Sequence, residues 1–157
     1  MNLQSTVNHL EACLAEELAA QTESLTWVNT MEQALKDNDS LTFESTSQRG
    51  SELCRKADRA ATKRKGLLAD LASNWGVAAG TLTLGSVVRR LGGQGARMDT
   101  LRKELRAAIS GVIKRQRRLS ALINMHKRIN ADVMKVIVGC DSHEEVNQGG
   151  SLVNAEA

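Results

Sequence analysis

The apolar residues between Met98 and Val138 recur at steps of three and four: Met98, Leu101, Leu105, Ala108, Val112, Leu119, Leu122, Ile129, Val133 and Val136. Arg115 and His126 break the series, so ten of its twelve positions are apolar. A 3.5-residue repeat held over about five heptads is the pattern of a helix packed lengthwise against other helices. At about 1.5 Å per residue it would run roughly 60 Å, longer than a compact domain of this size is wide. The stripe therefore demands a cover, from the rest of the chain, from a partner, or from both.

The remainder of the chain supplies helices for that purpose. There is no proline, and the aromatic residues are Trp27, Phe43 and Trp75. Such a composition favours uninterrupted helices and leaves little with which to build a sheet core. The 157 residues suffice for one continuous core. The expected fold class is all-α: an elongated antiparallel helical bundle or coiled coil of three long helices plus one short helix. It should occupy residues 1–139 as a single domain, followed by a disordered acidic tail over 140–157.

From Leu3 to Lys36 the stripe Val7, Leu10, Leu14, Leu18, Leu25, Val28, Met31 and Leu35 predicts a first long helix, with glutamates on its other faces. Asp37-Asn38-Asp39-Ser40 supplies turn formers, with Asp39 or Ser40 as the N-cap of the next helix. A link this short predicts an antiparallel hairpin. The second helix is expected over about Leu41 to Trp75, with a thin apolar seam in its first half and soft points at Gln48, Arg49, Gly50 and Ser51. Residues 76–95 hold six of the twelve glycines. Within them Thr81 or Thr83 could cap a short helix through Leu84, Val87, Val88 and Leu91 that stops at Gly92-Gly93.

Charge is distributed unevenly. Residues 1–50 carry eight acidic and two basic side chains, and residues 76–140 carry three acidic and thirteen basic ones. An acidic first helix and a basic last helix can attract each other within one fold, or the basic face can serve an anionic partner. Lys114-Arg115-Gln116-Arg117-Arg118 is the densest basic run, short and without a neighbouring aromatic for base stacking. Arg115, on the seam, needs an acidic partner if it is enclosed.

Little points to catalysis. Cys13, Cys54 and Cys140 are far apart and show no metal-ligand spacing, and His9, His126 and His143 stand apart from one another. Gly92-Gly93-Gln94-Gly95 lacks the lysine and hydroxyl of a phosphate loop. No enzyme, metal or cofactor is expected. No run approaches the ~20 apolar residues of a membrane span, and no secretory signal is visible, so the expected location is the cytoplasm.

Three features together resemble the FlgN-type flagellar export chaperones. They are the opening helix ending in Met31-Glu32-Gln33-Ala34-Leu35-Lys36 with the Asp39-Ser40-Leu41 turn, then Lys63-Arg64-Lys65-Gly66-Leu67-Leu68-Ala69-Asp70-Leu71-Ala72 followed by Gly76 and Thr81-Leu82, and the long helix ending in Ile137-Val138-Gly139. The likeness spans about residues 10–139. It implies a small cytosolic chaperone without enzymatic activity. Its partners would be hook-associated proteins, bound by a C-terminal amphipathic helix, and the cytoplasmic domain of the type III export gate. It implies a monomer or weak dimer whose cargo surface lies on the last helix: Leu105, Ile109, Val112, Leu119, Leu122, Ile123, Ile129 and Val133. Helix-in-groove recognition needs apolar anchors at this kind of spacing. Where relatives carry an asparagine pair before a leucine, this chain has Lys114 to Leu119, and its tail lacks the aromatic some relatives use at the gate. The alternatives are a scaffolding coiled coil that homo-oligomerises through the last helix, and a basic helical nucleic-acid binder.

Overall fold

The computed structural model describes residues 3–78 and 80–149, with side chains for 4–78 and 80–139. Its elements are helices: α1 (Leu3–Lys36), α2 (Ser40–Gln48), α3 (Gly50–Asn74), α4 (Leu84–Leu91) and α5 (Ala96–Gly149), with one turn of 3-10 helix at Gly92–Gly95. No strand occurs among the described residues. The chain divides into two compact units, Met1–Leu119 and Ser120–Ala157, and the division falls inside α5. The tail expected over 140–157 lies outside the residues whose side chains are described. The backbone of α5 continues past Gly139 to Gly149.

Helix ends follow local chemistry. At the end of α1, Asn38 takes a left-handed φ of 54°. This lets the Asp39 N–H reach the Ala34 carbonyl at 2.9 Å and the Asn38 N–H the Leu35 carbonyl at 3.4 Å. Those bonds form a Schellman closure that satisfies carbonyls the helix leaves orphaned. The Asp39 carboxylate then accepts from the Thr42 N–H at 3.0 Å and starts α2. The same closure ends α3, with Gly76 at φ 64° and the Val77 N–H on the Ala72 carbonyl at 3.0 Å. Thr83 rather than Thr81 caps α4, through a reciprocal pair with Ser86.

The second long helix departs from expectation. It is two helices, broken at Arg49 after the nine-residue α2, which buries no side chain. The break coincides with a contact across the fold. Trp27 of α1 donates its indole N–H to the Thr46 carbonyl at 2.8 Å, and its ring rests on Gly50. A Cβ at Gly50 would stand 2.6 Å from Trp27 Cζ2, so the bare backbone there gives the indole its place.

In the Met1–Leu119 unit α3 runs antiparallel to α1. Glu16 meets Lys63 at 2.8 Å, Glu17 meets Arg64 at 2.7 Å, and Glu23 meets Arg49 at 2.8 Å and also Lys56. In the same unit α5 runs parallel to α1, because Glu11 faces Arg97 while Glu32 faces Arg115 and Arg118. The core gathers Val7, Leu10, Leu14, Leu71, Val87, Met98 and Leu105 where α4 closes over the start of α1 and the end of α3. Arg90 of α4 stacks on the Trp75 ring, 4.4 Å from its centroid. Fully burying one such aliphatic side chain stabilises a fold by about 1.5–3 kcal/mol.

Two glycines of α3 should therefore respond in opposite directions. Gly66 has open space where a Cβ would go, so Gly66→Ala should raise stability by about 0.5–1 kcal/mol through lower unfolded-state entropy. Gly50→Ala should lower it, because the methyl group displaces Trp27. Urea unfolding of both variants checks the pair, and equal effects would contradict the Trp27 contact.

Candidate functional site along the last helix

α5 opens with Asp99 in its first turn, where a carboxylate suits the positive helix end. Hydrogen bonds from Lys103 and Arg102 hold the Asp99 carboxyl below the usual range. The apolar stripe then proceeds into the core of the first unit. Met98, Leu105, Val112 and Leu119 are buried, and Leu101 and Ile109 pack against the core cluster while partly exposed. Gly111 sits against the methyl groups of Leu25, which would lie 3.8 Å from a Cβ there.

In the Ser120–Ala157 unit the stripe is found in a different environment. Leu122, Ile123 and His126 are partly buried. From Met125 onward the large apolar side chains face solvent: Ile129 is 51% exposed, Val133 52%, Met134 58%, Val136 66% and Ile137 54%. Between Val133 and Ile137 only Lys135 is polar. A helix apolar on most of its circumference is ordinarily enclosed, and an exposed apolar patch of this length marks an interaction surface.

The eight candidate residues thus stand in different environments. Leu105, Val112 and Leu119 are core residues, Ile109 is packed on the core, Leu122 and Ile123 are intermediate, and Ile129 and Val133 are exposed. Met125, Met134 and Ile137 belong to the exposed set and were absent from the sequence-based choice. Met125 stands one helical turn before Ile129, and Met134 and Ile137 are a turn apart, so a search for a second apolar stripe beside the first would have found them.

The basic run is likewise divided in its tasks. Glu32 of α1 is buried, with 2% of its side chain exposed. Its carboxylate accepts hydrogen bonds from Lys36 Nζ at 2.7 Å and Arg115 Nη1 at 3.4 Å, and Arg118 Nε forms an ion pair with it at 3.0 Å. The Lys36 hydrogen bond and the two guanidinium groups hold the Glu32 carboxyl below the ordinary glutamate range, against the upward push of burial. Arg115 thus has an acidic partner although its side chain stays 44% exposed. Glu17 is buried in the same way, against Arg64. No buried side-chain nitrogen or oxygen among the described residues lacks a hydrogen-bond partner.

Among the described residues, no group of three histidine, cysteine, aspartate or glutamate side chains is placed to hold a metal ion. Burial pushes the Cys13 thiol up, away from the reactive thiolate, and its Sγ lies 3.6 Å from the Ala60 carbonyl oxygen. No described helix is long and apolar enough to cross a membrane. Compared with family models, curated proteins and solved structures, the chain matches none.

The lowered Glu32 pKa fixes the sign of one pH effect. Its contribution to stability is present above the unfolded-state value of about 4.3 and is lost as pH falls through the lower folded-state value. Melting temperatures measured from pH 7 down to pH 3 should fall in the native chain. Glu32→Gln should melt lower at pH 7 and change less over the acid range. Parallel curves for the two proteins would show that this carboxylate does not couple to folding.

Proposed function

We propose that this protein is a helical chaperone of the FlgN type, a non-enzymatic cytoplasmic bundle that binds an amphipathic helix of a secreted flagellar protein. The single observation that carries the reading is the exposed apolar surface of α5 from Met125 to Ile137. Covering a half-exposed valine, isoleucine or methionine contributes about 1 kcal/mol, so five or six of them on one helix make a useful dock. Two are methionines, whose flexible thioethers adapt to partners of differing shape. Helix-in-groove recognition supplies the mechanism: the partner's apolar face takes the stripe out of water and is itself kept from premature assembly. In this reading the cargo is the C-terminal helical segment of a hook-associated protein, released at the export gate.

A scaffolding coiled coil is the second reading, favoured by the spacing of Leu122, His126, Ile129, Val133 and Val136, which alternates four and three residues. Such a chain would cover the same surface with its own copy. Its helicity would then depend on concentration.

Co-expression with the C-terminal segments of hook-associated proteins, followed by size-exclusion chromatography with light scattering, separates the two. The chaperone reading expects a monomer or weak dimer alone and a discrete complex with one segment. Ile129→Asp combined with Val133→Asp should weaken that complex by at least about tenfold while leaving circular dichroism unchanged, since both positions are exposed. Leu119 is unsuitable for this purpose, because an aspartate there would enter the core. A tight homo-oligomer that ignores every segment would replace the chaperone with the scaffold.

A further inference from the structure

Between α1 and α5, within the first unit, lies a cleft of about 410 Å³ lined by Leu25, Asn29, Gly111, Lys114, Arg115 and Arg118. Its charge is unbalanced. The one carboxylate beneath it, Glu32, is already met by Lys36, Arg115 and Arg118. Lys114 adds a further cation, on the same helix face as Arg118 and one turn away, and forms no ion pair with a described residue. Arg115 and Arg118 keep 44% and 58% of their side chains exposed, so their unused N–H groups face the cleft and solvent. The floor is apolar, made by Leu25 and the bare backbone of Gly111.

We infer that this cleft is a carboxylate-accepting anchor that selects helical partners carrying acidic side chains one turn apart. Cations at 114 and 118 repeat every four residues, the spacing at which a partner helix presents successive side chains on one face. Leu25 and Gly111 leave room for an apolar side chain beside the carboxylates. Nucleic acid fits less well. A phosphate backbone is held by a long stripe of cations and its bases by aromatic platforms, whereas this cleft offers three cations and no aromatic lining. The inference rests on the helix-binding reading for its class of ligand, but not on the exposed apolar surface for its place. To that reading it adds the partner's charge.

Two 18-residue helical peptides test it on the full-length protein by isothermal titration calorimetry at low salt. They share an apolar face and differ in carrying glutamate or glutamine at two flanking positions four residues apart. The glutamate peptide should bind about tenfold more tightly, an advantage that salt erodes. Lys114→Glu should abolish the preference, and a third peptide with lysines at those positions should regain affinity for that variant, a rescue that a purely structural role for Lys114 would not give. Equal binding of the glutamate and glutamine peptides to the native protein overturns the anchor and leaves helix binding standing. Failure of every peptide to bind overturns both. A single-stranded oligonucleotide that displaces the glutamate peptide and binds more tightly, in a Lys114-dependent way, overturns the anchor in favour of nucleic acid.

Discussion

Two glutamates of α1, Glu17 and Glu32, are taken out of water, and a buried carboxylate stays charged at neutral pH only where cations are brought to it. Arg64 arrives from α3 for the first, and Arg115 and Arg118 arrive from α5 for the second. Leucine stripes alone would let these helices slide by a heptad at little cost, because every heptad resembles the next. A carboxylate that must meet its partner admits one register. These two buried carboxylates thus favour one register of α1 against its neighbours, even though desolvation offsets much of the attraction.

With the register pinned, smaller features find their places. Trp27 falls opposite Gly50, where the second long helix is broken, and its indole is satisfied by the Thr46 carbonyl. Glu23 draws Arg49, at the break, and Lys56, in α3, to the same region. α4 caps the opposite end, with Val87 in the core and Arg90 on the Trp75 ring. In the first unit both the polar clamps and the buried apolar residues, from Val7 and Leu10 to Val28 and Met31, lie along the length of α1.

Much of this was legible in the chain itself. The bounds of α1 follow from its stripe and from Asp37-Asn38, and the bounds of α4 from Thr83 and Gly92, because those ends are decided within a few residues. The break at Arg49 was visible only as a weak place. A tryptophan more than twenty residues away meets it there, and no local pattern reports that contact. The candidate surface was legible as an apolar stripe and not in its exposure. Met98 to Val136 reads as one repeat, yet Leu105, Val112 and Leu119 are enclosed whereas Ile129 and Val133 are open. Periodicity shows which face of a helix is apolar and leaves undetermined how much of that face the other helices cover. The charges behaved similarly. Arg115 needed an acid only if enclosed; it is half-exposed and still meets Glu32, shared with Lys36 and Arg118, a pairing that depends on register.

The distribution of methionine sulfur has a consequence for how the molecule ages and how it can be observed. Met31 and Met98 are sealed in the core at 4% and 0% exposure, whereas Met125 and Met134 stand open at 49% and 58%. A mild oxidant converts accessible thioethers to polar sulfoxides first. Damage will therefore collect on the apolar surface of α5 and make it wetter, while the core of the first unit keeps its packing. The same selectivity makes those two sulfurs an internal gauge of occupancy. Whatever lies against that helix shields them, and the mass added by oxygen counts the chains left uncovered.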